Sequence, residues 1–459
     1  MSKPVLIEAG LPAFGEPTVQ PTIPAATHRT RVAAALAAAD AAGLDALVVY
    51  GDREHAANVT YVTGYDPRFE ETLFVALPGR RPTLLLGNEG WSYAETALGE
   101  FDRLLCQSFS LPGQPRDRQQ PLPVLLAEAG LRPGMRIGAV GWKVFGIDDP
   151  GATADWLDLP DFIAQPLRAL GPTTNATALF IAPDTGLRAI NDVDQLAAFE
   201  FAATYASQAV RNVLFGLRPG MTELAAARLM GLNGLPLSCH PMLSSGARAA
   251  FGLPSPSAKP IARGEPFTLA CGLQGGLTAR AGFVVADATE LPLGIQDYVE
   301  KLAAPYFAAI VDWYETVGIG VTGGDLFALI HRHLGDPFFG VGLNPGHLIH
   351  LDEWMHSPIY RDSPIPLRSG MAIQIDVIPA THSPWFTTNI EDGIALADAP
   401  LRAAFATAYP EAWARITARR AFMQDVLGIR LKPEVLPFSN IPAYLPPFLL
   451  TPTRVLAMR

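Results

Sequence analysis

Three of the nine histidines in this 459-residue chain fall in one stretch, GLNPGHLIHLDEWMHSP, which sets His347, His350 and His356 beside Asp352 and Glu353. Imidazoles with an ordinary pKa near 6.5 exchange protons at neutral pH, and carboxylates next to them suit acid–base catalysis or cation binding. Two further carboxylates interrupt apolar, strand-like runs: Asp376 in GMAIQIDVIP and Glu391 in TTNIEDG. A carboxylate in a half-buried strand needs a partner or a purpose. His347, Asp376 and Glu391 are therefore the candidate catalytic residues. His347 is expected to act as general base and acid, while two carboxylates can grip a planar cation through paired hydrogen bonds. His350, Glu353 and His356 are candidate substrate contacts, although charged residues also cluster in loops without chemical duty.

The three cysteines, Cys106, Cys239 and Cys271, lie far apart and form no CxxC pair, which points to a reducing compartment. Nothing near Cys271 in sequence would lower a thiol pKa, so it is expected to line the substrate pocket rather than to attack. The formal net charge is −10, with no basic run, which argues against nucleic acid or anionic membrane as partner. The first 28 residues lack the apolar core of a leader, and no apolar run approaches the ~18 residues of a spanning helix. A cytoplasmic location is expected.

The elements that must position these residues read as α/β. A proline-rich arm (1–28) precedes an alanine-rich helix from Thr30 to Gly43 and the apolar strand LDALVVY, and strand–helix alternation continues to about residue 185. A long amphipathic helix from Ile190 to Leu217 opens a second domain, 190–428, with further helices near Leu224–Met230 and Gln296–Val317 and a mostly antiparallel sheet. The tail 429–459 is apolar but broken by prolines, and is expected to pack as an extended strap. The turns Ser244-Ser245-Gly246 and Gly272 to Gly276 precede no helix start, so they are not phosphate cradles.

In this order, the helix opening INDVDQLAAFEFA, LRPGMTE, Gly346-His347, LRSGMAIQIDVIP and IEDG resemble the creatinase/aminopeptidase P/methionine aminopeptidase family. The resemblance implies an N-terminal α/β domain of the creatinase type followed by a pita-bread domain. Metallopeptidases of that family bind two metal ions through two aspartates, a histidine and two glutamates. Carried over, the histidine is His347 and the glutamate positions are Asp376 and Glu391, but the two aspartate positions read Ala270 and about Ala281. Lacking both, the chain looks most like creatinase, which works without metal.

The resemblance thus leads to the expectation of no cofactor and of a metal-independent hydrolase cutting a C–N bond in a small guanidino, amidine or amide compound. Asp376 is one methylene shorter than creatinase's glutamate, so creatine itself is not expected. A single divalent ion on His347, Asp376 and Glu391 is chemically open. Three other readings stand beside the first: a metal-dependent Xaa-Pro peptidase, a non-catalytic binding protein, and a lyase abstracting a proton. The resemblance also implies a homodimer, and places Arg68 in the region that lends an arginine to substrate.

Overall fold

The computed structural model describes residues 3–146, 149–153 and 155–459. The chain divides into two compact units, one of Thr22–Ala189 and one that joins the residues up to Pro21 to Ile190–Arg459. The division after Ala189 lies within four residues of the expected end of the first domain. The arm differs. Pro4–Glu8 pairs antiparallel with Arg454–Met458, so the two termini are tied together within the second unit. A pairing across the whole length of the chain leaves no local signal in either segment.

The first unit is built on a six-stranded sheet in the order Asp102–Leu105, Thr83–Leu86, Thr72–Ala76, Ala46–Gly51, Ile137–Val140, Thr173–Asn175. Its central strands, such as ALVVYG and TLFVA, are buried at every residue. That explains why they read as continuous apolar runs rather than as alternating ones.

The second unit carries the candidate residues on a seven-stranded sheet. Its strands are β1 (Met242–Ser245), β2 (Pro266–Leu273), β3 (Gly276–Phe283), β4 (His347–Leu348), β5 (Ala372–Asp376), β6 (Asn389–Leu396) and β7 (Val435–Pro437). The order is β4-β5-β6-β3-β2-β1, with β7 also on β6, and every pairing is antiparallel. The tail thus supplies two short strands, and most of the rest of it is buried.

Helix α1 (Val193–Gly216) begins where Asp192 accepts a hydrogen bond from the Gln195 N–H, a side-chain cap for one of the free amides of the first turn. It lies against β2 and β3, and the hairpin between them comes very close. A Cβ at Gly275, where φ is +105°, would sit 2.7 Å from Phe199, and one at Gly276 would sit 2.6 Å from the Ala203 backbone. The glycine run is therefore a packed turn, as its sequence context implied.

Two shorter helices, α2 (Ala399–Ala408) and α3 (Pro410–Ala421), follow β6. Arg415 and Arg419 of α3 both donate to Glu200 of α1. No helix among the described residues is long and apolar enough to cross a membrane.

Candidate active site

Antiparallel register lines up the side chains that matter. In one row across the sheet, Met242 faces Ala270, Ala270 faces Ala279, Ala279 faces Glu391, and Glu391 faces Asp376. The next row on the same face runs Thr268, Ala281, Asn389. Because side chains alternate along a strand, Gln374 shares the face of Asp376, and His347, its partner on β4, joins them. Glu353 arrives from the loop after β4. The carboxylates thus occupy two neighbouring strands, while the strands beyond present only small or apolar groups.

His347 is fully buried. The dipeptide Gly346-His347 is needed there because Gly346 holds φ at +135° and a Cβ would lie 2.9 Å from the Gln374 carbonyl. Nδ1 lies 3.2 Å from the Leu348 carbonyl, so it is the protonated nitrogen. The ring stacks on Trp354, centroids 4.1 Å apart. Nε2 has no hydrogen-bond partner, and the Glu353 Oε1 stands 3.4 Å from it. Burial pushes its pKa down to about 4, against a small opposing effect of the backbone bond. At neutral pH His347 therefore turns a bare Nε2 lone pair toward Glu353, the state a metal ligand or a base requires.

The carboxylates are strained electrostatically. Burial, then the proximity of Asp376 and Glu353, pushes Glu391 well above the usual range. Burial raises Asp376 to about 7, and burial with the nearby Asp376 and Asp352 raises Glu353 to about 7. The buried guanidinium of Arg280, which acts on Glu391, is committed elsewhere. Arg280 donates to Asp392 Oδ2 and to the Tyr444 carbonyl, each at 2.7 Å, and Asp392 alternates with Glu391 onto the opposite face.

Three crowded carboxylates beside a neutral imidazole call for a cation. One ligand atom each from His347, Glu353 and Glu391 lie within 4.8 Å of one another, and Asp376 Oδ1 is buried without a hydrogen-bond partner. Three nitrogen and oxygen donors with a fourth position open are the usual set for a catalytic divalent ion. Among the described residues no further group of this kind offers itself to a second ion, and alanines hold both positions where the resemblance calls for aspartate.

The other candidates are scattered. Cys271 faces away from Ala270 and is absent from the cavity lining, whereas Cys239 lines it. His350 is buried edge-on against Phe199 of α1, ring centroids 5.0 Å apart. His356 accepts a hydrogen bond from the Ser357 N–H at 2.8 Å, and neither histidine lines the cavity. Arg68 belongs to the first unit and pairs with Asp66 at 2.7 Å.

The cavity in front of the donors has a volume of about 780 Å³. Sequence reasoning missed several of its walls. Asn389 was legible, since alternation in TTNIEDG puts it on the face of Glu391. His382 and Phe386 also line the cavity, and both hold a positive φ, 49° and 61°, in a loop whose sequence carries no glycine to announce that backbone.

Residues 197–398 match the model of metallopeptidase family M24. These residues are an M24 domain. Solved structures agree on the fold of the longer chain. A Xaa-Pro dipeptidase from Bacillus anthracis superposes with a TM-score of 0.60 at 17% identity, over 81% of this chain and 96% of its own. The prolidase from Pyrococcus horikoshii OT3 gives 0.61 at 18%, over 80% and 95%. An X-Pro aminopeptidase from Thermotoga maritima MSB8 gives 0.60 at 15%, over 80% and 95%. No curated protein matches the sequence significantly.

A metallopeptidase domain makes this chain an enzyme, a hydrolase of carbon–nitrogen bonds. It also corrects the expectation of a metal-free, creatinase-like site. That expectation rested on the missing aspartates, which remove one set of donors. It took Glu353 for a substrate contact, whereas the loop after β4 brings that carboxylate within 3.4 Å of His347 Nε2 and into one group with Glu391.

Proposed function

We propose that the M24 domain hydrolyses an amide carbon–nitrogen bond of a small molecule with one divalent ion, held by His347, Glu353 and Glu391. The observation that carries this reading is the convergence of the unpartnered His347 Nε2 with the buried Glu391 and the half-buried Glu353. When bound, such an ion supplies Lewis acidity, polarising a carbonyl and lowering the pKa of water. The rest is done by the chain. The Leu348 carbonyl and the Trp354 ring fix His347 in its tautomer and plane. Asp376, opposite Glu391, presents Oδ1 with no competing donor, so it is placed to take the proton of the attacking water and return it to the leaving nitrogen.

Two solved relatives in fold are named for Xaa-Pro substrates, which favours a peptide-type bond over a guanidino group. A homodimer, as the resemblance implies, and a cytoplasmic location, as the scattered cysteines suggest, complete the reading.

The test is metal analysis of the purified protein together with amide and dipeptide hydrolysis. About one divalent ion per chain is expected, lost in His347→Ala, with turnover abolished by chelator and restored by manganese, cobalt or zinc. Undiminished turnover in stripped protein would sink the reading.

A further inference from the structure

We infer that the cavity selects a neutral amide carrying a bulky apolar body and rejects substrates with a free carboxylate. This rests on the cavity being the substrate site, and deepens the proposed function by naming the substrate class. Among the described residues lining the cavity there is no lysine and no arginine. The charged groups that face the space are Glu353, Asp376 and Glu391, with His240 and His382 further out. With the ion's charge offset by Glu353 and Glu391, Asp376 still faces the space, and a substrate carboxylate would be desolvated beside it with no guanidinium or ammonium side chain in the lining to receive it.

The shape is equally specific. Ala270, Ala279 and Ala281 form a floor where side chains of carboxylate size would otherwise project, so the row beside the donors is open and apolar. The cavity's outer wall continues this character: Phe251, Leu253 and Leu343 line it while remaining 74%, 68% and 52% exposed. Large apolar side chains gathered at the mouth of a cavity mark a surface that a ligand covers. An aromatic or branched aliphatic group resting on the alanine floor and reaching Leu253 would place its amide against the donors.

Calorimetry with three probes reads this directly: N-acetyl-phenylalaninamide, N-acetyl-phenylalanine and N-acetylglycinamide. The phenylalaninamide is expected to bind at least about tenfold tighter than either of the others, with a negative heat-capacity change from apolar burial. Leu253→Arg, on an exposed side chain whose loss does not threaten folding, is expected to weaken the phenylalaninamide several-fold and to strengthen the free acid. Leu343→Arg repeats the experiment at a second exposed position. Equal binding of acid and amide by the wild-type protein, or of glycinamide and phenylalaninamide, overturns the inference, as does an unchanged preference in both variants. The titrations are repeated after chelation. A preference that survives chelation leaves the substrate class standing whatever metal analysis and turnover decide about the single-ion mechanism, and a preference lost on chelation overturns the inference.

Discussion

Glu391 and Asp376 face each other on β6 and β5, yet neighbouring atoms give them different work. A Glu391 oxygen belongs to the ligating group with His347 and Glu353, and Asp376 stands outside it with Oδ1 unpartnered. The two roles separate on mutation. Asp376→Asn keeps the size and removes the base, so kcat should fall by roughly 10²- to 10⁴-fold with metal content unchanged. Loss of the metal in that variant would instead make Asp376 a ligand. Glu353 shows why a residue-level reading falls short. In GLNPGHLIHLDEWMHSP it read as a candidate substrate contact that could equally decorate a loop, and only the turn back to Leu348, where Met355 N–H and the His356 carbonyl bond that residue, aims it at His347.

At the scale of elements, the site depends on a sheet held against α1, and α1 is clamped from behind. Glu200 is fully buried and receives Arg415 Nε at 2.9 Å, a terminal Arg415 nitrogen at 2.6 Å and Arg419 at 2.7 Å. Burial alone would raise its pKa, but the two guanidiniums outweigh that and hold it below the usual range. Glu200→Gln retains the shape and strands two buried cations. It should cost about 3–5 kcal/mol of stability, measured as a drop in urea midpoint, with little effect on metal affinity once folded. A loss below ~1 kcal/mol would show that the clamp is not closed in solution. The opening INDVDQLAAFEFA announced this helix through its apolar spacing, but the two arginines that clamp Glu200 lie more than two hundred residues away in sequence.

For the whole molecule, the two compact units predict thermal unfolding in more than one step. A ligand that binds only the folded second unit stabilises that unit alone. With an ion at about a hundred times its dissociation constant, the gain is roughly 2.7 kcal/mol. Scanning calorimetry with and without chelator should therefore shift one transition and leave the other in place. Coincident shifts of both would mean that the units unfold together.

What the sequence determined by itself follows from local rules. Strand alternation and apolar spacing announced an α/β chain in two domains with a boundary expected between Pro183 and Asn191, and the GH and IEDG motifs, with the family resemblance, singled out His347, Asp376 and Glu391 as candidates. Even the absence of the aspartates was legible, as Ala270 and Ala281. What that absence meant was not, because a metal site is a set of distances and sequence carries only spacing. Register across four strands decided that the alanines form a floor beside the donors. A loop closure decided that Glu353 completes them, and the alternation of β2 decided that Cys271 turns away. The pairing of Pro4–Glu8 with Arg454–Met458 belongs to the same class, since hydrogen bonds between chain ends are chosen by the folded whole and by nothing in either segment.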